Sequence, residues 1–238
     1  MVYLRIIILL LIIPTLNFSQ EFGDVAHLKK EDYSKIKGNP YLFKDWVKAD
    51  IIHLEKENIE GAMIKFDLYD GSIEVKDHDV LLDNSNLVEI NGERLMILND
   101  QYYNKIIITR KNNPEAFKNF DVDTIQLTKG IHRDYLRTYG VVFYNGDKVK
   151  LVNTYNVDVR ESKINSPGKI ITKQKFTRNK GYALIIDKEK IKVKLKDKDF
   201  YKALGKKDAL KKFKKENKLK LKKVNEFVEL LKYYESLN

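Results

Sequence analysis

Ile64-Lys65-Phe66-Asp67-Leu68-Tyr69-Asp70-Gly71-Ser72-Ile73-Glu74-Val75-Lys76 reads as two strands joined by a turn. Ile64, Phe66 and Leu68 alternate with Lys65, Asp67 and Tyr69, and Ile73 and Val75 alternate with Glu74 and Lys76. A period of two puts the apolar set on one face of a strand and the polar set on the other. Asp70-Gly71 lies between the two runs and supplies the positive φ angles of a tight hairpin.

The same device recurs along the chain. Asn91-Gly92 falls between Leu87-Val88 and Leu95-Met96-Ile97, and Asn145-Gly146 links Val141-Val142-Phe143-Tyr144 to Val149, Leu151 and Val152. Further strands are expected at Lys105 to Thr109, Thr124 to Thr128, Tyr182 to Ile186 and Ile191 to Leu195. Short strands with hairpin turns at this spacing predict an antiparallel meander, whether roll, barrel or sandwich. Ser162 to Lys180 reads as a mobile loop with Ser166-Pro167-Gly168 as its turn. In the last strand Ile191, Val193 and Leu195 alternate with Lys192, Lys194, Lys196 and Lys198. An all-lysine face of this kind suits a charged edge that blocks strand-to-strand association, more than a binding strip.

After Leu195 the period changes. Phe200, Tyr201 and Leu204 suit a short helix stopped by Gly205. Asp208 is placed to cap a second helix carrying Leu210 and Phe213, and Phe227, Leu230, Leu231, Tyr234 and Leu237 mark a third. The fold class expected is therefore α+β, a predominantly antiparallel β body followed by short C-terminal helices. The expected division is a signal peptide over 1–20, a β-rich domain over 21–196 and a basic helical segment over 197–238 packed on it.

The basic character is concentrated at the C-terminus. The chain carries a formal net charge of +11, and residues 169–238 hold 23 Lys and Arg against nine Asp and Glu. Lys206, Lys207, Lys211, Lys212, Lys214, Lys215, Lys218, Lys220, Lys222 and Lys223 put ten lysines into eighteen residues. Such a run attracts polyanions, and binding through it would weaken steeply with salt. Arginine is absent from it and Phe213 is its only aromatic, which disfavours nucleic acid. The competing reading is a solvated helix face in a lysine-rich chain.

At the other end, Arg5 is followed by the Ile and Leu run from Ile6 to Ile13, and Pro14, Asn17, Ser19 and Gln20 break it up. Basic start, short apolar middle and polar close are the order of a secretory signal peptide. The run is too short for a membrane span, which needs about 20 apolar residues. Hydrophobic residues make up 43% of the chain, enough for a packed core without disulfides, and cysteine is absent. Lacking cysteine, the chain has no acceptor for a lipid anchor, no catalytic thiol and no thiolate zinc site. The expected localisation is export to the periplasm or the extracellular medium, with no transmembrane span in the mature chain.

The search for catalytic chemistry finds little. There is no G-x-S-x-G, H-E-x-x-H, G-x-x-x-x-G-K-[ST] or G-x-G-x-x-G pattern. The four histidines, His27, His53, His78 and His132, show no metal-ligand spacing between them. Asp77-His78-Asp79 offers two carboxylates and an imidazole, but neighbours on a strand point to opposite faces, so it reads as a polar turn. Asp121-Val122-Asp123 reads as loop, and His132-Arg133-Asp134 as a local ion-paired cluster. No catalytic residue, cofactor or metal is assigned.

Three stretches carry a resemblance: Gly38-Asn39-Pro40-Tyr41-Leu42-Phe43-Lys44-Asp45-Trp46, the span Gly140 to Val152, and Lys214 to Leu219 continuing to Leu230-Leu231-Lys232-Tyr233-Tyr234. Together they resemble a group of uncharacterised exported proteins common in Gram-negative bacteria of the Bacteroidota type. The resemblance implies export and a β-rich body with C-terminal helices, and it implies no activity. The expected function is that of a non-enzymatic envelope or secreted binding protein. One alternative is a polyanion-binding protein whose partner is an anionic envelope glycan or lipid head group. Another is a hydrolase with a carboxylate site.

Overall fold

Hairpin turns and alternating strands build one sheet that runs through almost the whole described chain. The computed structural model describes residues 33–55, 57–76, 85–90, 93–98, 103–135, 139–167 and 169–237. The proposed signal peptide and the Asp77-His78-Asp79 triplet lie outside these residues, as do Asn91-Gly92 and Gly168. The chain divides into units 1–33 and 34–238, and the account below concerns the second.

Twelve strands follow in order: β1 (Ile36–Lys37), β2 (Val47–His53), β3 (Ile59–Phe66), β4 (Ile73–Lys76), β5 (Ser85–Ile90), β6 (Glu93–Leu98), β7 (Tyr103–Thr109), β8 (Thr124–Thr128), β9 (Gly140–Asn145), β10 (Val149–Ser166), β11 (Lys169–Ile186) and β12 (Glu189–Val193). Three helices close the chain: α1 (Asp197–Leu204), α2 (Lys207–Glu216) and α3 (Val224–Ser236). The sheet is open and mixed, in the order β1-β11-β10-β9-β8-β7-β2-β3-β4-β6-β5, with β12 also on β11. Among the described pairings only β1 with β11 is parallel. The β-rich body and C-terminal helices thus agree with the sequence reading.

In the opening hairpin, Phe66 pairs with Ile73. Strand β3 stops there rather than at Leu68, because Asp67 starts the turn. Its N–H donates to the Ser72 carbonyl at 2.9 Å, and its Oδ1 accepts from the Tyr69 N–H at 2.8 Å. Gly71 supplies the left-handed residue, at φ 79°.

The expected loop at Ser162 to Lys180 is a correction. This segment belongs to an 18-rung antiparallel hairpin of β10 and β11, paired from Val149↔Ile186 to Ser166↔Lys169. Pairing runs to the rung Ser166↔Lys169, and Pro167 follows it as turn. Strand β9 pairs with β10 only as far as Asn153, so most of the hairpin's length extends past it. The lack of an apolar stripe there is why the segment resembles a loop: Ile164 and Ile170 are exposed, and Val157 and Phe176 are the deepest side chains beyond the body.

One core cluster joins the sheet to the helices. It takes Ile51, Ile64, Ile106, Leu127 and Leu151 from the sheet, and Phe200, Leu210, Phe227 and Leu231 from the helices. Phe200 and Phe227 are fully buried with ring centroids 4.3 Å apart. Burying rings of this size stabilises by about 1.5–3 kcal/mol each. Helix α1 ends at Gly205, φ 79°, as the sequence suggests. Helix α2 departs from expectation: Lys206 holds the N-cap position without a side-chain cap, and Asp208 falls in the first turn. A carboxylate there complements the helix dipole without capping.

Strand β9 is buried on both faces. Val141 and Phe143 enter the main core, whereas Val142 joins Val152, Ala183, Ile185 and Tyr135 in a second, smaller cluster. The segment 131–135 covers that cluster and crosses Gly140 so closely that a Cβ there would lie 2.6 Å from Ile131 Cδ1. Among the described pairings strand β12 is joined to β11 alone, so its exposed Lys192 stands on a sheet edge, while Lys194 falls just past the strand.

Candidate functional site

The 38–46 loop, the doubly clamped 110–123 loop and the long hairpin border a cleft. The first clamp is Asn113, a buried amide preceding Pro114. Its Oδ1 accepts from the Lys48 N–H at 2.7 Å, and its Nδ2 donates to the Lys48 carbonyl at 2.8 Å and the Thr109 carbonyl at 3.1 Å. One side chain thereby ties the loop after β7 to β2. The second clamp is Arg110. Its guanidinium donates to Asp123 Oδ1 at 2.9 Å and to the carbonyls of Phe117, Phe120 and Val122 at 3.3, 2.6 and 2.9 Å. Charge-assisted bonds are about twice as strong as neutral ones, so the 110–123 wall is held as a unit.

Aromatic rings form the floor. Phe43 packs on Phe117 and Phe120 at 5.9 and 5.3 Å between centroids, Phe120 on Phe143 at 6.4 Å, and Phe143 on Tyr182 at 6.3 Å. These separations lie in the range of favourable ring pairing.

The hairpin supplies the charge. Alternation along β11 puts Phe176, Arg178, Lys180 and Tyr182 on one face, and the rung Tyr155↔Lys180 adds Tyr155 to it. The Arg178 guanidinium lies 5.6 Å from the Tyr155 ring centre, and its Nη2 donates to the carbonyls of Asn39, at 3.3 Å, and Tyr41. The Lys180 ammonium lies 5.5 Å from the Tyr182 ring and 5.8 Å from the Phe120 ring. The enclosed volume is about 660 Å³, lined by Trp46, Asn113, Phe120, Tyr155, Arg178 and Lys180 among others. Burial pushes the Tyr155 hydroxyl up to about 12, against the Arg178 charge that draws it down. Desolvation in the same packing lowers the Arg178 pKa from its ordinary value. Two rungs before Tyr155, the Asn153 amide is buried with neither nitrogen nor oxygen in a hydrogen bond of good geometry.

The residues singled out from the sequence lie elsewhere. Lys207, Lys211 and Lys215 recur every four residues and are exposed along α2. Lys212 is exposed and 4.0 Å from Glu216, whereas Lys214 is half-buried and ion-paired with Asp197 at 3.1 Å. That pairing holds the Asp197 carboxyl below its usual value. Lys206 and Lys218 are exposed at the two ends of α2. The backbone N–H groups of Lys220, Lys222 and Lys223 all donate to Glu226, at 2.9, 2.8 and 3.1 Å, and so brace the start of α3 while their side chains face solvent. The ten lysines thus form an outer band rather than a pocket.

His132-Arg133-Asp134 does form an ion-paired cluster. Lys190 donates to Asp134 Oδ2 at 2.6 Å and sits 4.9 Å from the Tyr135 ring, while His132 Nδ1 accepts from the Asp134 N–H at 3.2 Å. The Lys190 hydrogen bond, above all, lowers the Asp134 pKa. The cluster fastens the 131–135 segment over the smaller core. Asp121-Val122-Asp123 is loop, with Asp123 held by Arg110.

Two carboxylates are buried, each with a local partner. Asp67 closes the hairpin turn, and Glu74 accepts from the Tyr41 hydroxyl at 2.9 Å. Among the described residues no group of three or more His, Cys, Asp and Glu is arranged to hold a metal ion, and no helix is long and apolar enough to cross a membrane.

Sequence reasoning missed the cleft because its parts are scattered and its cations lie in the segment read as loop. The alternation Phe176-x-Arg178-x-Lys180-x-Tyr182 was the available clue. No protein-family model matches this chain, and no curated protein and no solved structure is significantly similar to it.

Proposed function

We propose that this is an exported, non-enzymatic binding protein of the envelope or external medium, and that its ligand occupies the cleft between the 38–46 loop, the 110–123 loop and the β10–β11 hairpin. The carrying observation is preorganisation. Asn113 and Arg110 clamp one wall by seven hydrogen bonds, and rings backed by the core form the floor. A volume of about 660 Å³ falls within the usual span for small-ligand sites. Export rests on the first twenty residues.

The chain has one tryptophan, Trp46, and it lines this cleft. Intrinsic fluorescence therefore reports from the site. A small-molecule or oligosaccharide library should contain ligands that shift Trp46 emission saturably, with the shift abolished by Tyr155→Ala. Turnover of a glycan, peptide or ester by the purified protein would overturn the non-enzymatic reading. Recovery of the full-length precursor, uncleaved, from the host cytoplasm would overturn export.

A second reading is favoured by one specific observation, the row of Lys207, Lys211 and Lys215 on the open side of α2. It would attract an anionic glycan or a lipid head group along its length. Heparin retention that survives K207Q/K211Q/K215Q would dispose of it.

A further inference from the structure

We propose that the cleft is selective for an anionic ligand, received as a carboxylate or phosphate between Arg178 and Lys180. The inference rests on the binding reading above and adds the chemistry of the ligand.

Arg178 keeps N–H donors that the fold does not use. Nη2 is anchored by the carbonyls of Asn39 and Tyr41, and among the described residues Nε and Nη1 have no hydrogen-bond partner. The anchored nitrogen and the Tyr155 ring fix the plane of the guanidinium. Both two-donor edges of a guanidinium include Nη2, so Nε and Nη1 each offer an anion a single N–H in a fixed direction, backed by a permanent charge. Lys180 lies two residues along the same strand face. Its ammonium touches two rings and, among the described residues, forms neither a hydrogen bond nor an ion pair. Lys180 is exposed, so its ammonium rests beside these rings and stays open to an anion arriving from solvent.

The acids around the cleft do not cancel these charges. Glu115 is ion-paired with Lys118. Asp45 is exposed, next to the equally exposed Lys44. The Tyr155 hydroxyl stays protonated at neutral pH and provides a further O–H donor. Both cations lie in a cleft with an aromatic floor, so the anion should be carried on a flat or apolar group of modest size. A long polyanion fits the α2 row better than this enclosed site.

Benzoate, phenyl phosphate and benzamide share one ring and differ in charge, so they separate the possibilities. The readouts are Trp46 emission and calorimetric titration at low and high salt. At least one of the two anions is expected to bind about tenfold or more tightly than benzamide, with the preference shrinking as salt rises. Whichever of benzoate and phenyl phosphate binds more tightly distinguishes a carboxylate from a phosphate ligand. R178Q and K180Q should each lower anion affinity about tenfold, while R178K, which keeps the charge but loses the fixed Nε and Nη1 donors, should fall between R178Q and the unaltered protein. K202Q, removing an exposed charge on α1, should change nothing. Because Arg178 also anchors the 38–46 loop, K180Q is the decisive variant should R178Q fail to fold. Equal affinity for benzamide and the anions, or anion affinity indifferent to K180Q, overturns the inference but leaves a binding cleft standing. Silence of Trp46 towards the anions while a neutral library ligand binds overturns it in the same way. Silence towards every ligand overturns both readings.

Discussion

On helix α2, Lys207, Lys211 and Lys215 stand in water with a full turn of helix between one and the next. In the cleft, Arg178 and Lys180 lie against aromatic rings, and one of them is bolted to two backbone carbonyls. The helix holds more charge in less sequence, yet the ammonium groups of Lys207, Lys211 and Lys215 stand on flexible stems in solvent. The cleft is lined by fewer cations, but the positions of Arg178 and Lys180 are set by a strand register, a ring floor and a clamped loop. Charge density and charge placement are thus separate properties. Dense exposed charge attracts anions without reading their shape, while placed charge can discriminate.

The largest expected effect tests whether the basic helices are an appendage or part of the body. Phe227→Ala removes a fully buried ring that stacks on Phe200. It should cost about 3–5 kcal/mol, read as a lower urea midpoint for the whole protein. An unchanged midpoint would mean that the helical segment is not integral to the core.

Next in size is Arg110→Ala, which releases three carbonyls and Asp123 at once. A loss of about 1.5–3 kcal/mol is expected, with weakened ligand response at Trp46, because the wall behind Phe120 loosens. If stability falls and the cleft still binds with undiminished affinity, the idea that the clamp preorganises the site is wrong. By contrast, K207Q/K211Q/K215Q should shift stability by no more than about 0.5 kcal/mol, while the protein elutes from heparin at lower salt. A large loss of stability in that variant would show the row to be structural.

The smallest effect concerns pH. Three backbone N–H donors hold the Glu226 carboxyl below its ordinary value of 4.5, against the desolvation that would raise it. A carboxylate depressed in the folded state stabilises above its unfolded pKa and loses that contribution as pH falls through the folded one. Glu226→Gln should therefore lower stability at neutral pH and flatten its decline below about pH 4.5, as followed by urea melts across the acid range. An unaltered acid limb would mean that this brace contributes nothing measurable.

Much of the fold was legible because hairpins announce themselves locally. Alternation flanking Asp70-Gly71 and Asn145-Gly146 marks strands that do pair, and Gly205 does end α1. What escaped was long-range. The distal half of the β10–β11 hairpin carries few buried side chains, so its strands show no apolar face and read as loop; only cross-strand register, invisible to a local window, identifies them. The cleft was lost with it, since Arg178 and Lys180 acquire meaning only beside Tyr155, Phe120 and the carbonyls of Asn39 and Tyr41. The lysine-rich run behaved in the opposite way, conspicuous in sequence and ordinary in space.

The parallel pairing of β1 with β11 has a kinetic side. Ile36 meets Gln174 and Lys37 meets Lys175, so an early segment of the chain waits for a partner well over a hundred positions downstream. Contacts of such separation slow folding, because the loop must close before the rung rewards it. The early strands can zip through their local hairpins as synthesis proceeds. The edge of the sheet, and with it the Arg178 anchor to the 38–46 loop, can form only after most of the chain has been made. Ligand binding should accordingly be among the last properties to return on refolding.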